Sequence, residues 1–179
     1  ALVDLASRIL SQRESVRVSD ADHAMEQIIR VGTSAGGARA KAVVAWNEET
    51  GEMRSGQVDV GRGFGHWLIK FDGVAGNRDK EAEDGPRYTV IEYAYYLMAR
   101  AAGVAMTECR LFDEGGRRHF MTRRFDRSDA DGSKLHMQTL GGLAHFDFNV
   151  PGAHSYEQAV LVARRIGLGQ AEAEELFRR

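Results

Sequence analysis

The chain has 179 residues, a net charge of −2 and 43% hydrophobic against 28% charged residues, which is enough for a real core in one sizeable domain or two small ones. That balance gives no bulk reason to expect a nucleic-acid or membrane partner, and no apolar run approaches the roughly 18 residues of a membrane span. A single cysteine, Cys109, excludes an internal disulfide framework and fits a reducing, cytoplasmic setting.

The N-terminus opens on Ala1 with no basic-then-apolar signal pattern, as expected of a sequence that starts inside a longer chain. Leu2, Leu5, Ala6, Ile9 and Leu10 repeat at helical spacing, and a second helix is expected from about 20 to 29. Gly32 to Ala38 is a glycine-rich turn that breaks this pattern. A short apolar strand, 41–46, leads into the hairpin-type turn Asn47–Gly51, and residues 66–71 read as a second strand. The segment Gly61–Gly65 has no helix after it and reads as a hairpin turn. Polar residues 72–87 read as a surface loop.

A helix follows over about 90–102, with Ile91, Ala94, Tyr95, Met98 and Ala102 as its expected buried face. Strands near 107–112 and 118–125 flank the hairpin turn Asp113–Gly116. After a charged loop, helices are expected at about 136–145, 155–166 and 170–178. Helices, then strands, then helices make an α+β chain with no internal repeat, its two parts joined near 125–133.

Three features carry possible chemistry. Glycines in Ser34–Lys41 allow backbone N–H groups to approach a phosphate, although taken alone they are explained more readily by an ordinary helix-to-strand turn. The Walker A pattern is absent. Lys70 lies inside Trp-Leu-Ile-Lys-Phe, sharing a strand face with Leu68 while Ile69 and Phe71 take the other. A half-buried strand lysine needs an anion, unless it snorkels from an edge. Only four of the 24 basic residues are lysine (41, 70, 80 and 134), so a lysine kept between apolar neighbours has some reason to be one. Glu92 lies at the start of the following helix. Thr89-Val-Ile-Glu92 is also a capping-box pattern, which explains that glutamate locally. Together the glycine loop, the strand lysine and the helix glutamate stand in the order in which kinases use them.

Other candidates fall away. His145-Phe-Asp147-Phe-Asn149 has the wrong spacing for a kinase catalytic loop and reads as a helix end before Pro151. The six histidines show no metal-binding spacing, so no metal ligands are assigned.

Ser-Ala-Gly-Gly-Ala-Arg-Ala-Lys41, Trp-Leu-Ile-Lys-Phe71, Glu92-Tyr with Leu-Met-Ala-Arg-Ala-Ala-Gly103, Glu-Cys-Arg-Leu111 and Arg-Arg-Phe-Asp-Arg127 together resemble the HipA kinases, toxins of bacterial toxin–antitoxin pairs. The resemblance implies a protein-kinase-like small ATP-gripping lobe over 31–127, preceded by a helical segment at 1–30 and followed by the first helices of a helical lobe at 128–179. It implies ATP and Mg²⁺ as cofactors. Ala35, Gly36, Gly37 and Ala38 match the phosphate-covering loop, and Ser34 matches a serine that some members autophosphorylate. Lys70 matches the nucleotide lysine and Glu92 the acidic start of the next helix. Arg123 to Phe125 match the adenine-holding hinge, where backbone groups do most of the bonding and where the family often has Glu in place of Arg123. His136-Met-Gln138 matches the start of the second lobe.

The same resemblance implies a protein serine or threonine as acceptor (in the family, an aminoacyl-tRNA synthetase) and a DNA-binding, HipB-like antitoxin as partner. It puts the catalytic aspartate, its asparagine and the magnesium-binding aspartate after Arg179, so these 179 residues alone are expected to be inactive. A truncated or degenerate module that binds nucleotide or antitoxin without catalysis is the alternative, and a small-molecule or lipid kinase relative a weaker one.

Overall fold

A computed structural model describes residues 41–56, 60–73, 87–128 and 130–179. The expected helices at 2–13 and 20–29, and the glycine turn with Ser34 and Ala35 to Ala38, lie outside the described residues.

The described chain is mixed α and β. Its elements are β1 (Lys41–Trp46), β2 (Met53–Ser55), β3 (Gly65–Lys70), α1 (Tyr88–Ala101), β4 (Cys109–Glu114), β5 (Arg117–Arg123), α2 (Leu140–Ala144), α3 (Tyr156–Arg165) and α4 (Gln170–Arg178). The strands form a five-stranded antiparallel sheet in the order β2-β1-β3-β5-β4. Two of the three predicted hairpin turns are present, each with its own turn chemistry. In the first, Asn47 Oδ1 accepts the N–H groups of Glu49 (3.0 Å) and Thr50 (3.1 Å), and Gly51 takes φ 73°. In the second, Gly115 and Gly116 both hold positive φ, 56° and 80°, which a two-residue turn requires to match the strand twist. The Gly61–Gly65 segment is not a hairpin turn. The strands on either side of it, β2 and β3, both pair with β1 and not with each other, so it carries the chain across β1 to the other edge.

Of the described residues, one compact unit holds 41 to Tyr96 with Thr107–Lys134, and another holds Leu97–Met106 with Leu135–Arg179. In the first unit, strand alternation places Val44, Trp67, Ile69, Met121 and His119 on one face of the sheet, each at most 1% exposed. Arg110 stacks against both Trp46 and Trp67 on that face. Ala45, Val60 and Phe64 make a further buried cluster. Lys41, Leu68, Lys70 and Phe120 share the opposite face.

Helix α1 is turned differently from the predicted stripe. Ile91, Tyr95 and Met98 are exposed, whereas Thr89 is buried and Glu92, Tyr93 and Tyr96 are half-buried. The apolar stripe is therefore the exposed side, and the side turned inward carries polar groups, so apolar periodicity does not set the orientation. Polar contacts choose it instead. Thr89 donates its hydroxyl to the Arg118 carbonyl of β5, and Glu92 reaches Lys70 of β3. The capping box is therefore not formed as expected: Thr89 lies within the first turn, not before it. The helix ends at Gly103, whose φ of 79° accompanies the Val104 N–H to Ala99 carbonyl bond of a Schellman-type stop.

In the second unit α2 is shorter than expected. Thr139 takes the N-cap, accepting from the Gly142 N–H at 3.1 Å, and His145 ends the helix at φ 55°. Asp147 Oδ1 then accepts from both the backbone and the side chain of Asn149 at 2.9 Å, a local turn that accounts for this Asp–Asn pair without catalysis. Ser155 and Gln158 form a capping box at the start of α3. Helix α4 packs on α3, with Ala163 and Ala173 buried, and Glu175 accepts the Ala105 N–H at 2.8 Å. Among the described residues no helix is long and apolar enough to cross a membrane.

His119 sets a pH limit on the first unit. Burial holds its imidazole below the ordinary 6.5, with Arg117 acting the same way and Glu114 and Asp72 opposing. The folded state thus takes up this proton less readily than the unfolded state does. Its stability contribution is complete above pH 6.5 and is lost as pH falls from there through the lowered value. Urea midpoints are expected to drop from about pH 7.5 to about pH 5, and His119→Asn to drop less over the same range.

Candidate functional site

Lys70 closes β3, and its strand position fixes which way it faces. Phe71, the next residue, is 8% exposed on the packed side, so Lys70 projects from the other. Its Nζ lies 2.7 Å from Glu92 Oε2 on α1, with the two side chains 31% and 24% exposed. The Phe120 ring of β5, the cross-strand partner of Lys70, stands 5.8 Å from the same Nζ. A partly exposed ion pair of this kind contributes only about 0–1 kcal/mol to stability. Stability alone is a weak reason for its presence.

The register adds a residue that reading along the sequence did not assign to the site. Lys41, the first residue of β1, is the direct partner of Lys70 on the opposite side of β3. Two ammonium groups are thus set side by side on one sheet face with the Glu92 carboxylate beside them. Like charges directly opposite on a sheet are unfavourable by some tenths of a kcal/mol to about 1 kcal/mol. Burial lowers the pKa of the Lys41 amine below its usual value, the neighbouring Lys70 charge lowers it further, and Glu92 works against both. Such an arrangement is poised for an anion, which removes the repulsion and repays the desolvation.

The predicted hinge lies at the end of β5. The N–H of Arg123 bonds to the Glu108 carbonyl at 2.8 Å and that of Arg124 to the His66 carbonyl at 2.8 Å. Both are spent within the unit. The next donor along, the Phe125 N–H, has no backbone acceptor among the described residues. The Arg123 guanidinium lies over Trp67 at 5.6 Å and 3.4 Å from Glu108, on the sheet face away from Lys70. The Phe125 side chain is exposed. Below them Asp126, 6% exposed, accepts two bonds from Arg124 at 2.8 and 2.7 Å and one from Arg127 at 2.7 Å. This triad fastens the segment that follows β5.

The structure thus unites Lys70 with Glu92 and adds Lys41, while the Arg123 side chain points elsewhere. Ser34 and Ala35 to Ala38 lie outside the described residues, and Lys41 stands three positions after Ala38 in the chain. His136 to Gln138 belong to the second unit. Among the described residues no group of three or more His, Cys, Asp or Glu side chains is placed to hold a metal ion.

No curated protein matches the chain. The family model of the HipA-like C-terminal domain matches residues 33–179.

Proposed function

We propose, from the premise that this chain belongs to the HipA-like C-terminal domain family, that its first unit is the ATP-gripping part of a protein serine/threonine kinase. The observation that carries this reading is the Lys70–Glu92 pair at 2.7 Å with Lys41 in register beside it. A strand lysine steadied by a helix glutamate is how protein kinases present a cation to the nucleotide α- and β-phosphates. Here Glu92 fixes Lys70 in place, while Lys41 supplies the further positive charge that a polyphosphate neutralises. The Phe125 N–H, next to two backbone donors already used, is the group we assign to the edge of the adenine ring.

ATP bound with Mg²⁺ supplies the phosphoryl group. We assign the described residues the grip on the nucleotide and not the metal, as the family resemblance implies. Metal-binding carboxylates and an acceptor-orienting aspartate are needed for transfer, and the resemblance places them after Arg179. The acceptor we propose is a serine or threonine of a protein, and the partner a DNA-binding antitoxin, both carried by the family resemblance.

Incubating the full-length protein with γ-labelled ATP, Mg²⁺ and a cell extract tests this. Label on protein serine or threonine is the expected result. Label confined to a small molecule or lipid would overturn the assignment of the acceptor.

A further inference from the structure

A contact of 2.7 Å between a strand residue and a helix residue 22 positions away persists only if the end of that strand and the start of that helix are fastened together. Two polar bonds and one hydroxyl do this. Asp72, two residues beyond Lys70 and 7% exposed, accepts the Arg87 N–H on Oδ1 at 2.8 Å. Arg87 stands immediately before α1 and holds φ 87°, a left-handed conformation that costs a non-glycine residue roughly 1–2 kcal/mol. The Asp72 N–H in turn donates to His119 Nδ1 at 3.0 Å. His119 is fully buried, with Phe71 edge-on at 5.5 Å. Because Nδ1 accepts, the neutral ring carries its proton on Nε2, which faces Glu114 Oε2 at 3.4 Å. The residue before it, Arg118, accepts the Thr89 hydroxyl through its carbonyl. Consecutive β5 residues thus hold the end of β3 and the first turn of α1.

We infer that Asp72 and His119 are positioning residues for nucleotide binding, acting through the Lys70–Glu92 pair, an inference that rests on the ATP-gripping reading above. Neither residue supplies a charge to the ligand. Asp72 sets the distance between the lysine strand and the glutamate helix, and His119 fixes Asp72. The expected surface character of residues 72–87 is accordingly wrong at its first residue, which is buried and bonded through both its backbone and its side chain.

The test is calorimetric titration of the full-length protein with Mg–ATP, well below the melting temperature of each variant. Lost stability alone then moves the melting temperature and leaves the affinity of the folded protein unchanged. Asp72→Ala is expected to weaken binding about tenfold. Asp72→Asn, which keeps an oxygen acceptor for the Arg87 N–H, is expected to stay within about twofold of the unsubstituted protein. Unchanged affinity in Asp72→Ala, or equal weakening in Asp72→Asn, would overturn the inference. If Asp72→Ala does not fold, His119→Leu against His119→Asn makes the same comparison, since asparagine keeps an acceptor for the Asp72 N–H. An unsubstituted protein that does not bind ATP sinks the nucleotide reading itself. Binding that is lost on Lys70→Met yet untouched by the Asp72 and His119 changes sinks only the positioning role.

Discussion

Lys70→Met is expected to abolish Mg–ATP binding by the full-length protein and to leave its stability nearly unchanged. Methionine keeps the length and much of the volume of the lysine stem, so the packing of β3 between β1 and β5 survives. What disappears is the ammonium held 2.7 Å from Glu92. Removing one partner of a hydrogen-bonded charge pair also leaves the other uncompensated beside the ligand. Here that other group is a carboxylate, which repels phosphate. The loss in affinity is therefore expected to reach at least about a hundredfold, with a change in folding free energy within about 1 kcal/mol. Calorimetry together with a urea melt separates the two quantities. Wild-type affinity in this variant would remove Lys70 from any nucleotide site.

Asp126→Ala is expected to do the reverse, costing the first unit about 3 kcal/mol, the low end for breaking a buried ion pair. Asp126 accepts from two arginines whose side chains are only 18% and 15% exposed. Without it those guanidiniums face each other at close range with no counter-charge between them. Hydrogen bonding from Arg124 holds the Asp126 carboxyl below its ordinary 3.8 against the opposing effect of burial, and the charges of Arg124 and Arg127 add to the lowering. The folded state then binds this proton less readily than the unfolded state. The stabilisation is present above pH 3.8 and is lost as pH falls through the lowered value. A urea midpoint that shifts sharply in Asp126→Ala, with acid sensitivity reduced relative to the unsubstituted protein, is the expected pattern. An unshifted midpoint would mean that the triad is dispensable.

These two residues differ in how far they could be read in advance. Lys70 was legible because strand alternation alone separates it from Ile69 and Phe71. Glu92 was legible only as one of two possibilities, since a capping box and a lysine partner need the same residue at the same place. Tertiary structure chose between them, through the hydroxyl of Thr89 and the carbonyl of Arg118. Lys41 was visible as a retained lysine, but its place beside Lys70 depends on strand register, and nothing local to 41–46 states which residue of β3 it will face. Strand β2 escaped notice because three residues carry too little pattern to mark. The rotation of α1 escaped because polar contacts to β3 and β5, not its apolar stripe, set which side turns inward. Asp126 stood in view inside Arg-Arg-Phe-Asp-Arg127, yet only burial turned a charged stretch into a fastening.

Both tryptophans of the chain, Trp46 and Trp67, belong to one sheet, with their rings 6.1 Å apart and Trp67 fully buried. Intrinsic indole emission is thus a private signal of the strand-rich unit, and the helices beyond Lys134 contribute none of it. A fluorescence trace followed during denaturation reports that unit alone, while far-ultraviolet dichroism, weighted toward helix, follows both. Where the two traces separate, the units are melting independently.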